Sequence, residues 1–396
     1  MTAPLFQALR ANKAVGWLLF VEAVCTVAIL ANTASIAGTN VLLSRQSSGL
    51  DEVGVIAVAF DEFDGGSSAL RLREDLAALS AIPGVSSAAL VNGIPFGGDS
   101  STTVSSFSSQ GSRQVDASIV RVGPGAIATL GIEVSHGRSF EAGDFVEATG
   151  TPLTAIISVD LARRLFASDP PLGRMLFIRG TEPLRIIGIT ERLMRPSPIP
   201  SMGNDNGLTV MLPTIPEASY ATYVLRVRPD DAANVIAALG SSGGSNRHPH
   251  AVDKAITLSE SRRRYFAASE SDAELMLATT LAVAFFSQAG ISGLVAFTGA
   301  RRRRSVGISR AVGATRARVV CDTFLLFSMP VLAGSVVGAL LSYGMHAALE
   351  TSFPLAPLKP VVPTAAAALV MLLSWCAMLV PTFRAAWQDP VSAIRA

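Results

Sequence analysis

The sequence predicts a membrane protein with four transmembrane α-helices and a large extracytoplasmic α+β region between the first and second. Three observations carry this. Only 16% of the 396 residues are charged, against 49% hydrophobic, well below the roughly 25% charged residues of an average soluble domain. The charges are missing from long windows: 25 residues from Leu275 to Gly299, 27 from Thr323 to Leu349 and 24 from Pro360 to Phe383, with a fourth window from Ala14 to Ser44 broken only by Glu22. Each exceeds the roughly 20 residues that cross about 30 Å of hydrocarbon as a helix. Between the first and second windows, Arg45 to Ala273 hold most of the acids, enough chain for one or two folded domains.

Taken in order, residues 1–13 form a short N-terminal segment and 14–44 contain the first span. Arg10 and Lys13, an apolar run and small residues near Ala34 and Ala37 also describe a cleavable signal peptide. The length of the run and Glu22 in its first half favour a retained helix. An acid inside a span costs about 2.5–3.5 kcal/mol, so Glu22 is expected to face the helix bundle. A packing contact is favoured over a proton relay, because no His, Lys or second acid lies mid-span to receive the proton.

The external region, 45–273, begins with a strand at Val55 to Phe60, an amphipathic helix at Ala69 to Ser80 and a strand at Val85 to Val91. It ends with a strand at Tyr223 to Val227, a helix at Asp231 to Leu239 and a strand near Ala255 to Leu258. Asp61, Glu62 and Asp64 before Gly65-Gly66 read as a strand ending in a turn, since the ligand spacing of a calcium loop is absent. Two strand–helix–strand units, about 50–92 and 217–260, thus flank an insertion of about 93–216, which suggests a split α+β domain. The insertion reads as a β-rich lobe, with strands at Ser118 to Val122, Thr154 to Ile157, Met175 to Ile178 and Leu184 to Ile189 and a helix at Val159 to Ala167.

Residues 274–396 carry the remaining spans, about 275–299, 323–349 and 360–383. The loop between the second and third holds Arg301, Arg302, Arg303, Arg304, Arg310, Arg316 and Arg318. Short basic loops stay in the cytoplasm. Both termini are therefore expected inside and the large region outside. In that loop Ile308, Ala311, Val312, Thr315 and Val319 recur at helical spacing, with Gly307 and Gly313 permitting close contact; a basic helix lying on anionic lipid is the alternative. On the third span Gly334, Gly338 and Ser342 form a small-residue ridge, expected to meet another helix within or between chains. Cys25, Cys321 and Cys376 read as small apolar residues packed in membrane helices.

The chemistry the sequence lacks is equally informative. A phosphate-binding loop needs Gly-Lys-Ser/Thr, and none of Lys13, Lys254 and Lys359 follows a glycine. If ATP drives this protein, another chain hydrolyses it. His136, His248, His250 and His346 form no His-Glu-x-x-His array, and His248-Pro249-His250 follows a Gly/Ser-rich stretch that reads as an exposed loop. A net charge of +2 gives no basic surface for nucleic acid. No catalytic residue, metal site or cofactor bound by this chain is expected.

Five stretches resemble the MacB/FtsX-type permeases of ABC transporters. IPGVSSAALVNGIPFGG (Ile82 to Gly98), VGPGAIATLGIEVSHGRSFEAGD (Val122 to Asp144) and AIISVDLARRLFASDPPLGRMLFIRG (Ala155 to Gly180), the last continuing to LRIIGI (Leu184 to Ile189), look like the family's periplasmic core domain. RRRRSVGISRAVGATRARVV (Arg301 to Val320) looks like its cytoplasmic loop and DPVSAIRA (Asp389 to Ala396) like its C-terminal tail. The resemblance implies a porter-like split βαβ lobe with an inserted β-rich lobe, in a bacterial inner membrane. It implies coupling to a separate ATPase, which holds ATP and Mg, through Arg301 to Arg304, Gly307, Arg310, Ala311, Val312, Gly313 and Ala314. A second permease chain, identical or not, is expected, and a periplasmic adaptor and outer-membrane channel belong to the export version. The family often has an acid where Ser305 stands; its absence bears on one contact to the ATPase, with stronger coupling supplied by a partner permease, or this chain being degenerate, as the alternatives. Export or extraction of a substrate is the first expectation; regulation of an extracytoplasmic enzyme, or lipoprotein release, is the alternative.

Overall fold

The computed structural model describes residues 13–60, 69–96, 103–109, 114–167, 169–217, 221–241, 252–301, 315–353 and 355–386. It divides into a folded unit, residues 42–269, and a helical unit formed by the chain on either side. Helix α1 (Lys13–Ser44) comes first.

The folded unit starts with β1 (Val55–Phe60), α2 (Ala69–Ser80) and β2 (Val85–Val91), three elements placed as the sequence pattern requires. The insertion follows: β3 (Thr103–Ser109), β4 (Val115–Arg121), the short α3 (Ala126–Leu130), β5 (Val134–Gly137), β6 (Thr154–Ser158), α4 (Val159–Phe166), β7 (Met175–Ile178), β8 (Glu182–Thr190) and β9 (Thr209–Leu212). The chain then returns as β10 (Thr222–Val227), α5 (Ala232–Ser241) and β11 (Val252–Thr257).

The outer elements form one antiparallel sheet in the order β11-β1-β10-β2. Since β10 lies between β1 and β2, this is a split βαβ arrangement. Alternation decides its two faces. Ile56, Val58, Leu90, Leu225 and Val227 pack with Leu72 and Leu79 of α2 and Val235 and Leu239 of α5. Val55, Ala57, Ala89, Val91 and Val224 point the other way, into a core shared with Val120, Ile127, Leu130, Ile156 and Met211 of the insertion. The sheet is thus buried on both faces, and the insertion is packed against it.

The insertion has its own sheet, β5-β8-β6-β9-β4-β3-β7, with β7 pairing back onto β8. β8 spends Glu182 to Arg185 on β7 and Gly188 to Thr190 on β5, while its other edge takes β6. The ladder from β8 round to β7 therefore closes on itself, which leaves β5 as the strand paired on one side only. Ser158 starts α4 as an N-cap, its Oγ accepting from Leu161 N–H at 3.3 Å, and Leu161, Leu165 and Phe166 plug the β-rich lobe's core with Ile157, Leu176 and Val210.

Gly49 links the start of this unit to the loop after β8. Its φ is +80°, and a Cβ there would lie 1.6 Å from the Arg192 carbonyl oxygen. Gly49→Ala is expected to cost about 3 kcal/mol, combining left-handed strain with a backbone collision. Gly173, at φ +77° with nothing within 4 Å of its Cβ position, supplies the control: Gly173→Ala carries the strain alone, about 1–2 kcal/mol. Thermal melts of the purified chain in detergent check the difference.

The helical unit continues with α6 (Leu258–Arg301), α7 (Arg316–Glu350) and α8 (Val361–Ala386). All four helices are long and apolar enough to cross a membrane. α6 starts 17 residues before the charge-free window and directly after β11, so the strand expected near Ala255 to Leu258 ends at Thr257 and Leu258 is already helical. Thr257 Oγ1 accepts from Glu260 N–H at 3.2 Å, a capping bond. Glu260 pairs with Arg263 and with Arg264 at 2.9 Å, which holds its carboxyl below its usual range, first through Arg264 and then Arg263.

Candidate functional site

All four long helices meet in one apolar core: Leu19 and Ala23 of α1, Ile291 and Val295 of α6, Leu326, Phe327 and Val331 of α7, and Met378 of α8. A second cluster joins Val27 and Ala31 to Ala366 and Val370. The outer surface of the same helices is also apolar. Phe285, Phe286, Leu340 and Val361 are each at least 67% exposed. Water would penalise so large an apolar surface, whereas hydrocarbon does not. Cys25, Cys321 and Cys376 lie on this exposed surface rather than in the core.

α7 meets α1 through its glycines. A Cβ on Gly334 would stand 2.4 Å from the Phe20 carbonyl oxygen and 2.9 Å from Ala23 Cβ, and one on Gly338 would stand 2.7 Å from the Val24 carbonyl oxygen. Backbone touches backbone here because no side chain intervenes. One turn on, Ser342 is fully buried, and its carbonyl accepts from Asn32 Nδ2 at 3.1 Å. Asn32 also donates to the Ala28 carbonyl at 3.0 Å, and its Oδ1 lies 2.9 Å from His346 Nδ1. His346 Nε2 in turn donates to the Ala356 carbonyl at 2.8 Å. The small-residue contact therefore ends in a buried polar chain joining α1, α7 and the segment before α8.

Glu22 faces α6. A Cβ on Gly290 would come within 2.7 Å of Glu22 Oε1. Thr26 Oγ1 lies 3.1 Å from Ser287 Oγ. Asn32, Ser287, Gly290 and His346 were not singled out by the sequence pattern as contacts. Asn32 and His346 carried the signal of polar groups inside apolar windows, but their partners lie more than 300 residues apart.

Of the basic loop, Arg301 closes α6 with its guanidinium 4.6 Å from the centre of the Phe297 ring. Arg302, Arg303, Arg304, Ser305, Gly307, Arg310, Ala311, Val312, Gly313 and Ala314 lie outside the described residues, as do Asp61, Glu62, Asp64, His248, His250 and the tail from Asp389 to Ala396. Among the described residues, no group of three or more His, Cys, Asp or Glu side chains is placed to hold a metal.

Four apolar helices joined by small-residue and polar contacts, together with a large two-lobed folded unit, define a multi-pass membrane protein with a large extracytoplasmic region. Residues 23–242 match the family model of the MacB-like periplasmic core domain and residues 276–390 that of the FtsX-like permease C-terminal region. The chain belongs to the MacB/FtsX-type ABC-transporter permeases.

Among relatives, it is 25% identical over 347 residues to the macrolide export ATP-binding/permease protein MacB 1/2 of Paracoccus denitrificans, covering 85% of this chain and 49% of that one. It is 24% identical over 290 residues to MacB of Agrobacterium fabrum, covering 71% and 43%. With the uncharacterized ABC transporter permease YknZ of Bacillus subtilis the identity is 24% over 294 residues, covering 71% and 70%. The chain thus spans about half the length of the MacB relatives it matches.

Proposed function

We propose that this chain is a permease subunit that couples ATP hydrolysis by a separate ABC ATPase to movements of its extracytoplasmic region, for export or extraction of a substrate. The observation that carries this is the FtsX-like permease match over residues 276–390, in a sequence with no Gly-Lys-Ser/Thr anywhere. The MacB relatives are named as ATP-binding/permease proteins; on this proposal the nucleotide, with its Mg, is held by the ATPase. In this reading the arginine-rich loop and both termini are cytoplasmic, the membrane is a bacterial inner membrane, and a second permease chain completes the assembly. A periplasmic adaptor and an outer-membrane channel then serve export.

The contact through which the ATPase acts is the segment 301–320. A helix bound only to lipid depends on charge, whereas a coupling helix depends on shape as well. Gly313→Leu leaves the charge alone. It is expected to leave membrane insertion intact and to weaken ATPase association, or permease-stimulated ATP turnover, by about tenfold, the scale of one overpacked contact. Normal association and turnover in Gly313→Leu, with membrane stability lost in an Arg-to-Gln series, would assign the segment to lipid instead.

A further inference from the structure

The β-rich lobe contains a cavity of about 380 Å³ lined by one edge of β4, Arg164 of α4, and the segment from Arg195 to Leu208. Its most buried ionisable residue is Arg195. This residue is only 6% exposed, yet among the described residues no carboxylate lies within ion-pair reach of its guanidinium. Nη1 rests on the Met202 sulfur, a weak acceptor, and Nε has no partner. Burial pushes its pKa down from the usual guanidinium range, with Tyr265 acting in the opposite direction, but an arginine stays charged in protein. A buried cation without a counter-ion is costly and requires an explanation.

The segment is fixed and does not collapse onto the charge. Asn206, fully buried, donates to the carbonyls of Ile199 at 2.8 Å and Gly203 at 3.0 Å and accepts from Ile199 N–H at 2.7 Å. The Arg195 N–H donates to the Asn206 carbonyl at 2.8 Å. Asp205, also on the wall, is engaged by Arg164 at 3.2 Å.

We propose that this cavity binds a monocarboxylate, its anionic head on Arg195 and a short apolar substituent against Val115, Ala117, Met202 and Leu208. A guanidinium offers a planar fork that matches a carboxylate. With Arg164 already engaged by Asp205, Arg195 is the cation that the wall offers to a head group, which fits a single negative charge. The volume lies within the range of small-molecule pockets. Nothing in the permease reading requires this site, and it stands apart from the helical contacts described above.

The test uses the purified full chain in detergent, without ATPase or nucleotide, so its failure leaves the transport reading untouched. N-acetyl-leucine and a decapeptide ending in leucine are titrated by calorimetry, each beside its neutral amide. Saturable binding of the acids, at least about tenfold tighter than of the amides, is expected, the scale of a charge-assisted hydrogen bond. Binding of the small acid alone identifies a free metabolite as the occupant; binding of the peptide alone identifies a chain terminus. Arg195→Met is expected to weaken binding at least tenfold while leaving the empty protein no less stable, because it removes an uncompensated charge. Gln114→Trp, at the exposed rim, blocks the mouth without touching the core and serves if Arg195→Met does not fold. No binding of either acid, equal binding of acids and amides, or unchanged affinity in a folded variant would each overturn the site.

Discussion

Arg262→Ala is expected to loosen the folded unit by about 3–5 kcal/mol, the cost of breaking a largely buried ion pair from one side. The guanidinium bonds the Glu52 carboxylate and the carbonyls of Ser44, at 2.8 Å, and Gln46. The side chains of Arg262 and Glu52 are 21% and 17% exposed, so solvent screens the pair little. Ser48 Oγ donates to the same carboxylate at 2.5 Å, and the guanidinium also lies 5.1 Å from the centre of the Phe96 ring. Phe96 is held at φ +67°, a strained value for a side chain of that size, while its carbonyl accepts from Ser261 Oγ at 2.6 Å.

Arg262 thus ties the two ends of the unit, where the chain enters and leaves it, to each other and to one strained turn. The single change leaves Glu52 with Ser48 alone and frees two carbonyls. The double change Arg262→Met with Glu52→Gln removes both charges and is expected to recover at least half of the loss. Thermal midpoints and limited proteolysis of the two variants check this. Equal destabilisation by both would mean that the pair contributes through shape and not through charge.

How much of this was legible in the sequence depended on whether a residue's signal was local. β1, α2 and β2 announce themselves because Val55 to Val91 alternate periods of two and 3.6 around a core. β3 did not, because Thr103 to Ser109 is mostly Ser and Thr and gains its place only by pairing with β4 and β7. β9 is four buried residues in mid-sheet, and its short apolar run has no period to read. The spans were legible as absences of charge, but their starts were not. Hydropathy marks where a helix becomes apolar, whereas Thr257 and Thr315 mark where α6 and α7 begin, each by capping its helix. In the membrane the small-residue ridge was visible, but not which helix it meets. A glycine face says that something approaches, and only tertiary structure says that it is α1. The Arg195 cavity left no trace in sequence, since an isolated arginine between Met194 and Pro196 looks like any loop residue.

Gly338→Leu is expected to separate α7 from α1 and to abolish most of the folded, detergent-stable protein. The branched side chain must displace the Val24 carbonyl, 2.7 Å from where its Cβ would sit, together with Val24 Cα and Val27 Cβ at 3.0 Å. Two of these are backbone atoms, which no rotamer change can move, so the helices themselves must part. Overpacking alone costs about 1–3 kcal/mol. Here the separation also stretches the bond from Asn32 Nδ2 to the Ser342 carbonyl, one turn away, and the approach of Asn32 to His346. Without water to replace them, those polar groups are left unpaired at several kcal/mol each. The local collision is thereby amplified along the interface. Gly344, six residues on in the same helix, has nothing within 4 Å of its Cβ position. Gly344→Leu adds the same side chain to the same helix without a neighbour to strike, and is expected to leave the monodisperse yield unchanged. Size-exclusion profiles and crosslinks between cysteines placed on α1 and α7 compare the two. If Gly338→Leu retains the crosslink and the yield of Gly344→Leu, the glycine face is not what holds these helices together.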